Sequence, residues 1–245
     1  MAYFQLLGTG PSTPITDQQG RNVRRRSSAL MQNIATYVLL DATHDFEEQV
    51  ETAMSVTAVA VTNGSRDAAG GLGNLDRWLE TPIPLCVPLD LWEELLERYG
   101  PFERLEHLAL KPGESEAIGD LEITPISLPT QEGKSQRPNY GYHFNTGKKR
   151  VTYASDLKLV PDAAVPFFED NDLLVVDGAG WDKDLPNHRG ALNHLQEYVE
   201  GRNERIIFTD VGRSAPPHAQ ASSMIRRMCA GADLGFDFMK VPLGR

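Results

Sequence analysis

One stretch, Val59-Ala60-Val61-Thr62-Asn63-Gly64-Ser65-Arg66-Asp67-Ala68-Ala69-Gly70-Gly71-Leu72, carries most of the chemistry legible in this chain. A β-branched run ends at Thr62, a short polar loop follows, and Gly70-Gly71-Leu72 opens a helix. The loop offers an amide (Asn63), a hydroxyl (Ser65), a guanidinium (Arg66) and one carboxylate (Asp67). A carboxylate there can hold a hard cation or tie down its own turn by accepting backbone N–H bonds. Asp156 and Asp210 each close a strand-like run, where they can cap the following segment. His188, in Asn187-His188-Arg189-Gly190, precedes a helical run, and with Arg189 it could contact an anion at that helix start. Arg21, Arg24, Arg25 and Arg26 form the one basic cluster, which suits a phosphate or acidic partner or a solvated loop. There is no Gly-x-Ser-x-Gly elbow and no Cys-x-x-Cys pair.

The elements that must hold these groups follow from patterning. Residues 3–7 read as a strand closed by Gly8-Thr9-Gly10-Pro11, and 28–32 and 36–40 as a hairpin with Asp41 at its end. Residues 46–54 have helical spacing. Residues 58–62 form a continuous apolar strand of the kind buried on both faces. A helix over 71–79, a short strand over 85–87 and an amphipathic helix over 89–99 complete the first half. In the second, 121–128 alternates as a strand, and 141–144 and 150–154 flank a turn at Asn145-Thr146-Gly147-Lys148. Residues 172–176 are another buried strand, 191–199 a helix, 205–209 a strand ending at Asp210, 218–229 a helix and 235–241 a last strand. Both halves, about 1–112 and 113–245, run strand pairs and then strand–helix alternation, with no linker tract between them. One domain over 1–245 is predicted, α+β in class, with two stacked sheets and helices outside.

A length of 245 residues can bury a self-sufficient core. The formal net charge of -10 argues globally against a partner gripped through phosphates, so nucleic acid is disfavoured. Cys86 and Cys229 are the two cysteines, and both sit in apolar surroundings that suit small buried residues. No apolar run approaches the roughly 20 residues needed to cross a bilayer, and the N-terminus reads as a strand rather than a signal peptide. A cytoplasmic protein is expected.

With these elements placed, the chain resembles the metallo-β-lactamase fold of the tRNase Z and cyclic-phosphate phosphodiesterase branch. The resemblance rests on Leu6-Leu7-Gly8-Thr9-Gly10, Arg25-Arg26-Ser27-Ser28, Leu39-Leu40-Asp41 with Gln49, Tyr140-Gly141-Tyr142, Tyr153-Ala154-Ser155-Asp156 and 172–178, in the family's order over nearly the whole chain. The stretches 25–49 and 61–72 also echo the PQQ-biosynthesis B proteins. The resemblance implies a four-layer αββα sandwich.

It also implies a ligand set. The family's loop reads Thr-His-x-His-x-Asp-His and then Gly-Leu; here its histidine positions are Asn63, Ser65 and Ala68, and Asp67 alone stands. On this alignment the first zinc would meet Asn63, Ser65 and Thr130, and the second Asp67, Ala68 and Asp210, with Asp156 bridging. Zinc favours imidazole, thiolate or carboxylate, which the first set lacks. Three carboxylates, Asp67, Asp156 and Asp210, would remain in one cleft and need compensation. A hard cation (Mg²⁺, Mn²⁺ or Ca²⁺), an arginine (Arg66, Arg189 or Arg213) or a retained proton could supply it, and arginine is preferred.

The expectation is a protein without the two-zinc hydrolase activity and without a cofactor, binding a small ligand or protein partner through the former active-site cleft. The alternative is a phosphodiesterase-type hydrolase with a single Mn, Mg or Ca ion on Asp67, Asp156 and Asp210, in which His188 steadies the leaving phosphate. A homodimer, or pairing with an active paralogue, is a further expectation.

Overall fold

The computed structural model describes residues 2–16, 23–50, 55–129, 137–186 and 188–244. The elements are β1 (Tyr3–Gly8), β2 (Ile15–Thr16), β3 (Val23–Arg24), β4 (Ser28–Asn33), β5 (Thr36–Leu40), α1 (Phe46–Gln49), β6 (Ala58–Ala60), α2 (Arg66–Ala69), α3 (Leu72–Trp78), β7 (Ile83–Pro88), α4 (Leu89–Tyr99) and β8 (Leu105–Leu110). There follow β9 (Glu116–Ile118), β10 (Leu121–Ser127), β11 (Tyr140–Asn145), β12 (Arg150–Ala154), a 3-10 helix (Asp162–Phe167), β13 (Leu173–Asp177), α5 (Ala191–Glu200), β14 (Ile206–Thr209), α6 (His218–Met228), β15 (Ala232–Leu234) and β16 (Lys240–Pro242).

Two seven-stranded sheets result, ordered β16-β1-β4-β5-β6-β7-β8 and β15-β14-β13-β12-β11-β10-β9. In each, the pairings change from antiparallel to parallel midway: β5 to β8 run parallel in one sheet and β12 to β15 in the other. The parallel strands must be covered on both faces, and Ala58–Ala60 and Leu173–Asp177 are buried throughout. Apolar residues of both sheets, among them Phe4, Leu30, Leu39, Tyr142, Phe144 and Tyr153, share one core. A second core lies under α5 and α6, around Leu195, Phe208 and Ile225. This is the mixed αββα sandwich expected.

Some boundaries differ from the sequence expectation. The helix expected over 46–54 is described only to Gln49, and 51–54 lie outside the described residues. The helix expected over 71–79 is preceded by a separate turn of helix, α2, inside the polar loop. Of the strand expected over 235–241 only 240 and 241 are in a strand, β16, while β15 precedes it in the other sheet; between them Phe238 takes a left-handed backbone (φ 64°) and the Asp237 carboxylate accepts the Thr9 and Arg25 N–H groups. Both cysteines are free thiols, Cys86 buried and Cys229 half-buried.

Glycines set how closely the loops approach. A Cβ on Gly71 would lie 1.9 Å from the Thr43 carbonyl oxygen, and the Gly71 N–H donates to the Ala42 oxygen at 2.7 Å. The metal-loop frame therefore packs directly on the chain after β5. Gly71→Ala is expected to cost about 3 kcal/mol, since backbone rather than a flexible side chain must move. Urea unfolding checks this, and an unchanged midpoint would mean that the loop can lift without penalty.

Candidate functional site

The candidate groups stand where strands end. Asp41 follows β5 directly, Asn63 stands just past Thr62 beyond the end of β6, Asp156 just past Ser155 beyond β12, Asp177 ends β13 and Asp210 follows β14 directly. The C-terminal ends of parallel strands are the usual position for ligands in such sheets. Asp41 and Asp210 both adopt left-handed backbones, φ 63° and 53°, a conformation that aspartate tolerates better than most residues. The Thr9 carbonyl accepts the Val211 N–H at 2.8 Å, which ties the glycine turn after β1 to the Asp210 loop. Pro11 and Ser12 then wall the cleft opposite Asp156.

Asp156, His188 and Asp210 place one ligand atom each within 4.8 Å of one another. His188 Nδ1 lies 2.6 Å from Asp177 Oδ2 and 3.8 Å from both Asp156 Oδ1 and Asp210 Oδ2. Asp177 is completely buried and also accepts the Leu157 and Ala179 N–H groups. Asn63 donates through Nδ2 to Asp156 Oδ2 at 2.7 Å, and its Oδ1 accepts the Ser65 N–H at 2.9 Å. Asn139 holds the same corner by donating to the Leu128 and Asp156 backbone oxygens. Asp67 lines the cleft with Asp156 and Asp210 but is not part of the triplet. Ser65 Oγ is buried and has no hydrogen-bond partner among the described residues.

The expected arginine compensation is not what the geometry has. Arg66 Nε donates to His44 Nε2 at 2.7 Å, on the outer side of α2. Arg189 pairs with Glu197 at 2.9 Å, on the outward face of α5. Arg213 lines the outer cleft. Among the described residues none of the three forms an ion pair with Asp67, Asp156 or Asp210; His188 is the cation among the carboxylates. Thr130 lies outside the described residues. Two residues the sequence reading passed over, Asp177 and Asn139, do much of the positioning. The one available signal for Asp177 was an acid closing a wholly apolar, doubly buried strand.

Electrostatics follow from burial. Desolvation, then repulsion from Asp177, pushes Asp156 up to about 6, although its side chain keeps 27% of its surface open to the cleft. Burial, then the Asp177 and Asp156 charges, pushes Asp210 well above the carboxylate range. Asp41, sealed beneath the loop, is raised by burial to about 8 even though Thr62 donates both N–H and Oγ1–H to it. Burial alone would depress His188; the Asp177 hydrogen bond and charge, with Asp156 and Asp67 behind them, outweigh it and raise His188 to about 9. At neutral pH His188 is an imidazolium.

Between Asp41, Asp67, Asp156 and Asp210 lies a recess of about 20 Å³, room for one water-sized particle. The donor chemistry does not fit a zinc pair, because the first-site positions Asn63 and Ser65 are neutral and Asn63 is committed to Asp156 and Ser65. Oxygen donors around a recess this small do fit one hard cation.

Comparison with known proteins agrees with the architecture. The chain superposes on a diphosphatase of the PhnP family with a TM-score of 0.83 at 22% identity, covering 99% of this chain and 98% of that one. Zn²⁺-bound PqqB from Methylobacterium extorquens gives 0.78 at 16% identity over 98% and 99% of the two chains. The short form of human tRNase Z gives 0.72 at 16% over 99% and 100%. No curated protein matches the sequence. The profile of the beta-lactamase superfamily domain matches residues 36–214, from the first residue of β5 to the loop beyond Asp210. That span takes in Asp41, Asp67, Asp156, His188 and Asp210, and the chain belongs to the beta-lactamase superfamily.

Proposed function

We propose that this protein is a ligand-binding member of its superfamily that has given up two-zinc hydrolysis and uses the former active-site cleft to hold a positively charged group. The observation that carries this reading is the set of upward-shifted carboxyls, Asp41, Asp156 and Asp210, around a recess balanced by one imidazolium. Each of these carboxyls would gain a nearby positive charge, and none would gain a phosphate. A bare anion therefore has no welcome at the centre of this cleft, unlike the centre of a two-zinc site.

A second reading is favoured by the Asp156–His188–Asp210 triplet and its one-particle recess: a hydrolase of the phosphodiesterase type with a single hard cation. Asp156 and Asp210 would hold the ion, with Asp67 beside them. The ion would supply Lewis-acid charge when bound. His188, its Nδ1 proton donated to Asp177, would have the Nε2 proton left to offer a leaving oxygen.

One experiment separates the two. Purified protein is analysed for metals and assayed on bis-(p-nitrophenyl) phosphate with added Mn²⁺, beside Asp156→Ala. The binding reading expects no stoichiometric zinc and no turnover above the variant. Turnover that needs Mn²⁺ and disappears with Asp156→Ala would establish the hydrolase instead.

A further inference from the structure

An aspartate in a loop can hold its own turn by accepting backbone N–H groups. Asp67, the second residue of α2, does not: among the described residues none donates a hydrogen bond to its carboxylate. Asp210 is in the same condition. It is only 8% exposed, its one ion-pair contact among the described residues is His188 Nδ1 at 3.8 Å, and none of them donates a hydrogen bond to it. Asp156 accepts from Asn63 through Oδ2, while its Oδ1 meets only His188, also at 3.8 Å. The Nδ1 proton of His188 goes to Asp177, so the ring supplies charge across this gap and not a hydrogen bond. Buried polar groups ordinarily have partners, so three carboxylates with open acceptor positions in one wall mark a place for a ligand that donates.

The three line the recess of about 20 Å³. One water-sized group fills it, which is the size of an –NH₃⁺ head and smaller than a planar guanidinium or a trimethylammonium. A primary ammonium has three N–H donors, one for each carboxylate. A hard divalent ion asks for roughly six or more oxygens, and the Pro11 and Ala68 side chains in the same wall offer only carbon. No aromatic ring is among the described residues lining the recess or the outer cleft, so a quaternary ammonium would find no ring face there. The outer cleft, of about 530 Å³, shares Asp67, Asp156 and Asp210 with the recess and adds Ala179 and Leu185 to its walls, which is room for a short carbon chain.

We infer that the cationic ligand of this cleft is a small organic primary amine: its –NH₃⁺ head enters the recess and donates to Asp67, Asp156 and Asp210, and its carbon chain lies in the outer cleft beside Pro11 and Leu185. This rests on the proposed reading that the cleft holds a positively charged group.

Isothermal titration at pH 7 and low ionic strength compares butylammonium, butylguanidinium and butyltrimethylammonium, which share one chain, with Mn²⁺ as a fourth probe. Wild type is expected to bind butylammonium at least about tenfold more tightly than the other two organic cations. Asp67→Asn should weaken butylammonium about tenfold by removing one charge-assisted hydrogen bond, with an unchanged unfolding midpoint, because Asp67 accepts no hydrogen bond in the fold. Equal binding of the three organic cations overturns the primary amine and leaves the cationic reading of the cleft standing. Binding of Mn²⁺ alone overturns the amine in favour of the single-ion hydrolase. Failure of all four to bind overturns the amine and the cationic reading together. Unchanged butylammonium affinity in Asp67→Asn overturns the recess as the seat of the head.

Discussion

His188→Ala is expected to destabilise the protein by about 3 kcal/mol at pH 6 to 7, with the deficit fading as the pH rises to 10. The sign follows from the direction of the shift. His188 is raised from 6.5 to about 9 in the folded state. Its stabilisation is fully present below the unfolded value and is lost as the pH rises through the folded one. At 1.36 kcal/mol per pH unit the shift corresponds to about 3 kcal/mol, an upper figure because about a quarter of the ring surface faces solvent. Asp41, raised to about 8, also titrates in this window, but it does so in wild type and variant alike and cancels in the difference. Urea unfolding of both proteins from pH 6 to 10 gives the two curves. Parallel curves would mean that His188 is not charged in the folded state, and the cleft would then need another source of positive charge.

That result would also identify what keeps five aspartates near one another in the absence of the family's imidazoles. Asp177 is completely buried and spends its two oxygens on the Leu157 and Ala179 N–H groups and on His188. It therefore aims His188 at Asp156 and Asp210. On the proposed reading, one charged imidazole here takes the place that several metal-holding imidazoles have in the family pattern.

Much of the scaffold was legible because it is local. The apolar runs at 58–62 and 172–176 and the glycine at Gly71 specify buried parallel strands and a tight loop without reference to the rest of the chain. The edge strands β8 and β9 were not legible, since burial alternates poorly along Leu105–Leu110 and only Ile118 of β9 is buried. The strand expected over 235–241 failed for a non-local reason: Asp237 is claimed by Thr9 and Arg25, more than 200 residues away in sequence, and that bends the chain. Site residues divide the same way. Strand ends placed Asp156 and Asp210 correctly in the chain, but side-chain direction is set by contacts the sequence does not contain. Arg66 could reach either face of its turn, and His44, packed against Gly70, draws it outward. Asn63 reads as a lost zinc ligand, whereas in the fold it is a donor to a carboxylate 93 residues away.

The second large effect concerns Ala68, the one position of the second-zinc set whose side chain here offers no donor atom. Ala68 is buried in α2 and lines the recess beside Asp67, Asp156 and Asp210. In the family pattern this position carries the last loop histidine, so Ala68→His would bring an imidazole to three carboxylates already in place. Zinc affinity is expected to rise at least about 100-fold, equivalent to roughly 2.7 kcal/mol. Competition with a chromophoric chelator at pH 7 measures it. The gain should steepen between pH 6 and 8, because zinc must displace the proton of the introduced imidazole and that of the fraction of Asp156, raised to about 6, that is still protonated. A double variant that also carries His188→Ala should bind more tightly still, since the imidazolium then no longer competes for the same oxygens. If Ala68→His alone gains nothing and the double variant gains, the barrier is the charge of His188 and not the missing ligand. If neither gains, the recess of about 20 Å³ is too tight for the ion and its new ligand together, and the packing of α2 against the strand ends is what bars zinc from this position.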